Sequence, residues 1–494
     1  MSSEILINSG LGETRIAIVE DGTLREVTIE REHRRSVVGA IFLGRVASVV
    51  PAMNAAFVEI GLERAGFLGA YEARPPETPF DRGSEPPPIS ASVHEGEAVL
   101  VQAVKDPLAD KGARLSRQLS LAGRYLVYAP YGSGVAISRR IVEEEVRAHL
   151  TGLVAEAADG EGAQGGFIVR TAAADAAPED LAADIRDLGA LWAGICETRD
   201  TADAPACLFN DLGPVERSLR DHVQPGTERI VVDDTAALSA AKSYCARHLP
   251  EFEERIELYS GGNLFDLHSI EDDIAAAREP RVDLPAGGHI VIESTEALTA
   301  IDVNSGRAAS ADNHGETILT TNLEAAREVA RQLRLRSIGG LIVVDFIHMS
   351  DAADGAQVLD ELRRSVAADR APMQIGGFSE FGLLEMTRKR TRDPLATLLS
   401  EDCTVCSGAG RKPTCETVAY EILRQAEHEA RAGLAPDGGN DRLVQIYAAP
   451  EVAAFLNDDA GDLVDALEDR IGVAVEVSPD SSLARDRYEI DART

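Results

Sequence analysis

Apolar and polar residues alternate in three short runs at the start of the chain, ILINSG, RIAIVE and LREVTIE, with a glycine-containing turn between the first two. A period of two places one face of each run against a core, which predicts three strands that open a mixed sheet. Five further runs follow: GAIFLGRVASVV, NAAFVEIG, AGFLGA, AVLVQAV and ARLSRQL. Their number and close spacing predict a small closed barrel of the OB type. The segment at 72–92, EARPPETPFDRGSEPPPISAS, interrupts them with six prolines. Prolines withhold ladder donors and oppose helix geometry, so an exposed loop is expected there.

Residues 134–225 mix helical patterns (IVEEEVRAHLTGLVAEA, PEDLAADIRDLGALWAGI) with one strand-like run, GGFIVRTA, ending at Arg170 and Thr171. A separate α/β module is predicted. From 229, RIVVDD, a helix and RIELYSG are compatible with strands that complete the N-terminal sheet, which makes the barrel and the module insertions. GHIVIESTEALTAIDV at 288–303 reads as a hairpin. Leu319, Leu323, Ala326, Ala330 and Leu333 recur at helical spacing, predicting a helix over 316–336 that Gly339 and Gly340 stop. LIVVDF at 341–346 is nearly continuous in apolar residues, as expected of a strand buried on both faces. From about 416 the pattern predicts a small α/β tail domain.

The chain has 494 residues, 44% of them hydrophobic, and 49 Lys and Arg against 83 Asp and Glu, a formal charge of −34. This is a globular composition with room for about three domains. No apolar run of ~18 residues and no basic-then-apolar leader occurs, so no membrane span is expected, and a cytoplasmic protein is. The negative charge argues against generic polyanion binding. Two basic segments, RQLRLR at 331–336 and TRKRTR at 387–392, could still meet phosphates, although charge alone favours a solvated helix face for each.

Asp302 and Asp345 both close strand-like runs, and Asn304 shares a face with Asp302. A carboxylate ending an apolar strand asks for a partner, and three oxygen ligands with an incomplete shell suit magnesium bridging to phosphate. The competing reading is that each Asp caps a neighbouring turn. Cys403 and Cys406 form a CxxC pair with Gly408 and Gly410 behind it. Such a pair grips one metal ion, and a structural zinc needs four ligands: either Cys415 and a distant His complete the set, or two chains contribute one pair each and the metal clamps a dimer. Against a metal stands a redox or coincidental pair, the redox reading being the weaker without a thioredoxin-like β-α-β context. Phe57 and Phe67 lie on successive barrel strands and could stack unpaired bases, with Lys105 and Lys111 near the backbone; otherwise both rings are core.

The strings GRVASVVPAMNAAFVEIGLERAGFL, LSLAGRYLVY, FIVRTAA, STEALTAIDVNSG, TNLEAAREVARQLRLRSIGGLIVVDFIHM, FGLLEMTRKRTR and CTVCSGAGR, in this order, resemble the ribonuclease E/G family from the N-terminus to about 425. The length and the TRKRTR and CETVAYEI strings resemble the branch without a long scaffold tail. The resemblance implies an α/β multidomain fold. Its parts are an RNase H-like subdomain (1–37 and 215–277), an inserted OB-fold barrel (38–118), a 5′-sensor α/β module (119–214), a DNase I-like catalytic domain (278–399), a zinc link (400–415) and a small α/β C-terminal domain (416–494). It further implies magnesium on Asp302 and Asp345 with Asn304 orienting the site, and zinc on Cys403 and Cys406 shared by a homodimer that could pair into a tetramer. Phe57, Phe67 and Lys111 would contact single-stranded RNA, and Gly123, Val127, Arg170 and Thr171 would hold a 5′-monophosphate.

Two residues depart from the family pattern. Pro372 stands where the family carries a cation for the 5′-phosphate, and His348 replaces a second acid in DFIHM. The expected activity is magnesium-dependent endoribonucleolytic cutting of single-stranded RNA, in ribosomal RNA maturation and messenger decay. The rival expectations are an RNA-binding protein of the same fold with little nuclease activity, and a zinc-linked assembly factor.

Overall fold

The computed structural model describes residues 2–75, 86–107, 111–174, 176–210, 212–306, 314–406, 408–433 and 443–493. The chain divides into two compact units, Met1–Leu398 and Leu399–Thr494.

The first unit begins with a five-stranded sheet in the order Ile256–Leu258, Thr227–Val232, Ser3–Gly10, Glu13–Glu20, Thr23–Arg31. Ser3–Gly10 runs parallel to Thr227–Val232, so residues far apart in sequence share one ladder. Ile5, Ile7, Ile16, Ile18, Ile230 and Val232 pack beneath helices Pro214–His222 and Thr235–His248.

The chain between these strands forms two bodies. Strands Ile41–Val50, Ala55–Glu59, Gly66–Gly69, Arg114–Ser116 and Ala98–Lys105 close on themselves as Ala98–Lys105 pairs back onto Ile41–Val50. Ala56, Val58, Leu68, Val101 and Leu115 fill this barrel. At Gly66 a Cβ would sit 2.5 Å from the Leu115 side chain, so the barrel closes only around a glycine. Positions 76–85 of the proline-rich segment lie outside the described residues. The rest of it is not simply an exposed loop: Ile89–Ser92 is a helical turn whose Ile89 is fully buried in the barrel core.

The second body has strands ordered Gly134–Ile137, Gly166–Val169, Leu126–Ala129, Leu121–Ala122, packed with helices Glu144–Gly160 and Pro178–Thr201 around Leu126, Leu150, Val169 and Leu181. Its last strand, Ala206–Phe209, pairs with the barrel strand Ile41–Val50, so the two insertions share a sheet edge.

A six-stranded sheet ends the first unit, in the order Arg281–Asp283, His289–Ser294, Leu298–Asn304, Gly340–Asp345, Leu383–Arg388, Met373–Phe378. Helices His314–Leu335 and Ala352–Val366 cover one face, where Ile301, Ile342, Val344 and Leu384 meet Val329, Leu333 and Leu362. The expectation that 341–346 is buried on both faces is corrected here. Burial alternates along Gly340–Asp345, and Leu341 is 43% exposed on the opposite face. An apolar run says that a strand is central in its sheet; it does not say how many faces are covered.

The basic segment at 331–336 is also corrected, and the one at 387–392 in part. Arg334 reaches Glu20 of the N-terminal sheet at 3.0 Å, and Arg331 meets Glu328 at 2.8 Å and Asp273 at 3.5 Å. Arg336 donates to the Gln332 Oε1 and the Glu279 carbonyl, and burial pulls its pKa down to about 10. Arg388 and Asp369 form a buried pair at 2.9 Å, and Arg392 holds Glu26 at 2.5 Å. Arg331, Arg334 and Arg392 reach acids of other subdomains and Arg388 is paired with Asp369, whereas Lys389, Arg390 and Arg392 stay exposed.

In the second unit the sheet runs Ala474–Pro479, Leu443–Ala448, Tyr488–Arg493, packed by helices Cys415–Gly433 and Gly461–Ile471 around Ile422, Ile446, Val452 and Leu467. Among the described residues no helix is long and apolar enough to cross a membrane.

Candidate active site

A parallel strand pair needs a crossover, and helix His314–Leu335 supplies it between Leu298–Asn304 and Gly340–Asp345. Asp302 and Asp345 are direct register partners, on the face the helices leave bare. Both are exposed, so burial is not what makes them unusual, contrary to the expectation of a carboxylate enclosed by an apolar strand. Among the described residues neither has an ion-pair partner. Asn304 donates from Nδ2 to the Asp302 Oδ2 at 2.7 Å, which fixes one carboxylate oxygen and leaves the other available.

The loop after Asp345 is held from beneath. Asn322, fully buried within the helix, donates to the Ile347 carbonyl at 2.8 Å and accepts from the Ile347 N–H at 3.1 Å. Sequence reasoning missed Asn322, although a polar residue beside Leu323 on the apolar stripe was the available signal. His348 is exposed. Two unpaired carboxylates and an amide oxygen on adjacent strands form a hard donor set that fits magnesium; no third acid or histidine gathers there among the described residues.

On the barrel, Phe57 and Phe67 are register partners, half-buried on the outer surface and not in the core. Their rings meet edge to face at 6.0 Å. Phe67 pairs with Arg114, and Arg114 pairs with Lys105, so two rings and two cations form one row across four strands. Arg114 was missed; its outward parity in ARLSRQL was the signal. Lys111 is exposed, and the next residue, Gly112, approaches so closely that a Cβ would lie 1.9 Å from the Ala65 carbonyl oxygen. This contact anchors Lys111 beside the strand that carries Phe67.

In the second inserted body, Asp184 accepts the N–H groups of Arg124, Tyr125 and Leu126 at 3.2, 2.9 and 2.8 Å. Burial still raises its pKa. A Cβ on Gly123 would stand 2.5 Å from both Asp184 carboxylate oxygens, so the turn requires glycine. Arg170 donates to the Gly123 carbonyl at 2.5 Å and to Asp221 Oδ1 at 2.6 Å, while the Thr171 hydroxyl lies 3.3 Å from that of Ser138. Val127 is the register partner of Ile168. A cavity of about 1050 Å³ is lined by Ile168, Arg170, Thr171, Arg140 and Arg370 among others. Pro372 is exposed, and its carbonyl accepts the Lys389 N–H at 2.8 Å. Two residues earlier, the Arg370 guanidinium lines the cavity, its pKa lowered by burial. The turn that carries it is fixed by Arg140, which donates to the Asp369 and Arg370 carbonyls, and by the Asp369–Arg388 pair.

Beside this cavity lies a buried knot. Burial alone would raise the Glu26 carboxyl, but His222, Arg392 and Arg334 hold it down at about 2. Burial, with Arg370 and Arg392 nearby, depresses His222 to about 4.

In the second unit Cys403 and Cys406 share one turn, with the Cys406 N–H on the Cys403 carbonyl at 3.3 Å. The backbone N–H groups of Val405 and Cys406 lower the Cys403 thiol pKa, which favours the thiolate that binds metal. Cys415 packs against the apolar core of this unit, and no third ligand joins the pair among the described residues. Two thiols fit half of a four-ligand zinc site.

Comparison with known proteins identifies the family of the chain. The model of the Ribonuclease E/G family matches residues 120–391, and that of the RNase E/G thioredoxin-like domain matches 402–493. Ribonuclease G of Salmonella typhimurium (strain SL1344) and of Escherichia coli (strain K12) are each 39% identical over 496 residues, covering 99% of this chain and 99% of theirs. Ribonuclease E of Escherichia coli (strain K12) is 36% identical over 483 residues, 97% of this chain but 45% of its own length. With a family model matching more than half its length and relatives matching it end to end, this chain belongs to the ribonuclease E/G family.

Proposed function

We propose that this chain is a magnesium-dependent endoribonuclease that cuts single-stranded RNA, in ribosomal RNA maturation and messenger decay. The observation that carries the reading is the register pairing of Asp302 with Asp345 at open strand ends, both without a cationic partner among the described residues. Asp302 and Asp345 would hold the metal, with Asn304 restraining the first. Bound magnesium supplies Lewis acidity towards a phosphodiester oxygen and acidifies a water. The row Phe57, Phe67, Arg114 and Lys105, with Lys111, binds the strand by stacking and by phosphate contacts. In hydrolysis the water oxygen bonds to phosphorus as the phosphorus–O3′ bond breaks, and the departing oxygen takes up a proton. The products are a 5′-phosphate and a 3′-hydroxyl.

A 5′-monophosphate would enter the cavity beside Arg170 and Thr171, with Arg370 supplying the cation that Pro372 does not; Gly123, whose carbonyl holds Arg170, and Val127, the register partner of Ile168, would act from behind the lining. Cys403 and Cys406 of two chains would enclose one zinc and make a homodimer, with a tetramer as the next step of assembly.

The test replaces Asp302 or Asp345 with Asn and follows cutting of a fluorescent A/U-rich oligonucleotide across a magnesium titration. Each change is expected to slow cutting about 1000-fold, with thermal unfolding unaltered because both side chains are exposed. Undiminished cutting by both variants removes the pair from the mechanism. RNA binding by the unaltered chain without cleavage at any magnesium concentration would favour the binding-protein reading instead.

A further inference from the structure

The hairpin joining Met373–Phe378 to Leu383–Arg388 carries an aromatic ring that the fold does not use. Phe381 is 89% exposed; Tyr420, the next aromatic in exposure among the described residues, stands at 42%. The turn is complete without it. The Gly382 N–H bonds to the Ser379 carbonyl at 2.9 Å and the Ser379 N–H to the Leu383 carbonyl at 2.8 Å. The Leu383 N–H bonds to the Ser379 hydroxyl at 3.3 Å, and Gly382 takes the positive φ of +80° that the corner demands. Position 381 has no such duty. A benzyl group there gives up the stabilisation that burial would provide, in a chain with only 22 Phe, Tyr and Trp residues.

Its position suggests a use. Leu383 is the register partner of Asp345, so the turn emerges at the strand ends that hold the two carboxylates. Two residues span at most about 7 Å, and antiparallel partners stand about 5 Å apart, so the Phe381 backbone lies within ~12 Å of that of Asp345. The acids at these ends repel the phosphates of an incoming strand, and a chain charge of −34 adds to the effect. Stacking on a base is indifferent to that charge, because every base has a π-face.

We propose that Phe381 is a base-stacking platform of the cutting edge: an unpaired nucleobase next to the phosphodiester seated at Asp302 and Asp345 lies on its ring. The proposal rests on the endoribonuclease reading above. It adds a local source of single-strand selectivity, since a base inside a duplex has both faces covered and cannot stack on a side chain. Phe381 contacts substrate away from the reacting atoms, so its removal weakens binding at one nucleotide position and leaves the chemistry in place.

The test compares Phe381→Ala and Phe381→Trp with the unaltered chain on single-stranded oligonucleotides of one defined cleavage site, each carrying one abasic nucleotide stepped along the positions that flank it. Phe381→Ala is expected to lower kcat/KM about tenfold, mostly through KM, with an unchanged unfolding midpoint; Phe381→Trp retains activity. At one flanking position the abasic substrate slows the unaltered chain but makes no further difference to Phe381→Ala. In a Phe381→Trp, Asp302→Asn double variant, which holds RNA without cutting it, added oligonucleotide quenches indole fluorescence beyond the change shown by Asp302→Asn alone. Equal kcat/KM for Phe381→Ala and the unaltered chain, or equal abasic sensitivity at every position, overturns the proposal. So does a lowered unfolding midpoint, which would make the ring structural. If the unaltered chain cuts no RNA, the endoribonuclease reading fails, while the fluorescence arm still decides whether a base stacks at position 381.

Discussion

Two regions of the first unit concentrate charge and treat it in opposite ways. Along the seam between the N-terminal sheet, the inserted α/β body and the six-stranded sheet, nearly every charge has a partner: Arg334 with Glu20, Arg392 with Glu26, Arg388 with Asp369, Arg170 with Asp221. At the open strand ends, Asp302 and Asp345 stand side by side and, among the described residues, meet no cation, and on the barrel Arg114 stands in a row with two rings and, among the described residues, meets no anion. Buried charges must be paired to be tolerated. A charge left unpaired at the surface costs the fold little and remains free to meet a ligand. The difference teaches that in this molecule partnership separates the arginines of the architecture from the residues available for chemistry.

Breaking the seam tests this most severely. Arg388→Met leaves the Asp369 carboxylate buried without its partner and is expected to destabilise the chain by about 3–5 kcal/mol, read by urea unfolding. Adding Asp369→Leu should recover most of the loss. Full stability in the single variant would mean that the pair does not brace the turn.

Acid is the gentler probe of the same seam. His222, held near 4 against an ordinary 6.5, takes up its proton in the unfolded chain first, so stability is lost as pH falls from 6.5 towards 4. Glu26, held near 2 against 4.5, adds stability that is present above 4.5 and lost as pH falls below it. The unfolding free energy should therefore drop by up to about 1.4 kcal/mol per pH unit for each group within its window. His222→Gln should flatten the upper part of the curve; an unchanged slope between pH 6.5 and 4.5 would sink the assignment.

Arg114→Gln sharpens the comparison from the other side. Stability should change by less than about 0.5 kcal/mol, whereas RNA affinity weakens and the slope of log affinity against log salt falls by about 1. An unchanged salt slope would mean that Arg114 meets no phosphate.

Much of the fold was legible because period-two and helical stripes report burial directly. The barrel strands, the helix over 316–336 and the 288–303 hairpin were readable in that way, and the structure has His314–Leu335 and the pair His289–Ser294 and Leu298–Asn304 in those places. Leu341 and Ile89 misled in opposite directions: an apolar residue says that burial would be favourable, not whether another layer arrives to provide it, and prolines that forbid regular structure do not keep a neighbouring apolar side chain out of a core. The basic segments misled in the converse way, since the acids that capture Arg334 and Arg392 belong to strands some three hundred residues earlier.

The sequence by itself determined the order of elements, the family strings, the placement of an acid at two strand ends and of rings on two barrel strands. Those properties are local, written in neighbouring residues and their spacing. Only the tertiary structure decided that Asp302 meets Asp345 in register, that Arg114 continues the aromatic row, and that Arg370 faces the cavity beside Arg170. Such adjacency depends on how separate strands close on one another, and no single stretch of chain records it.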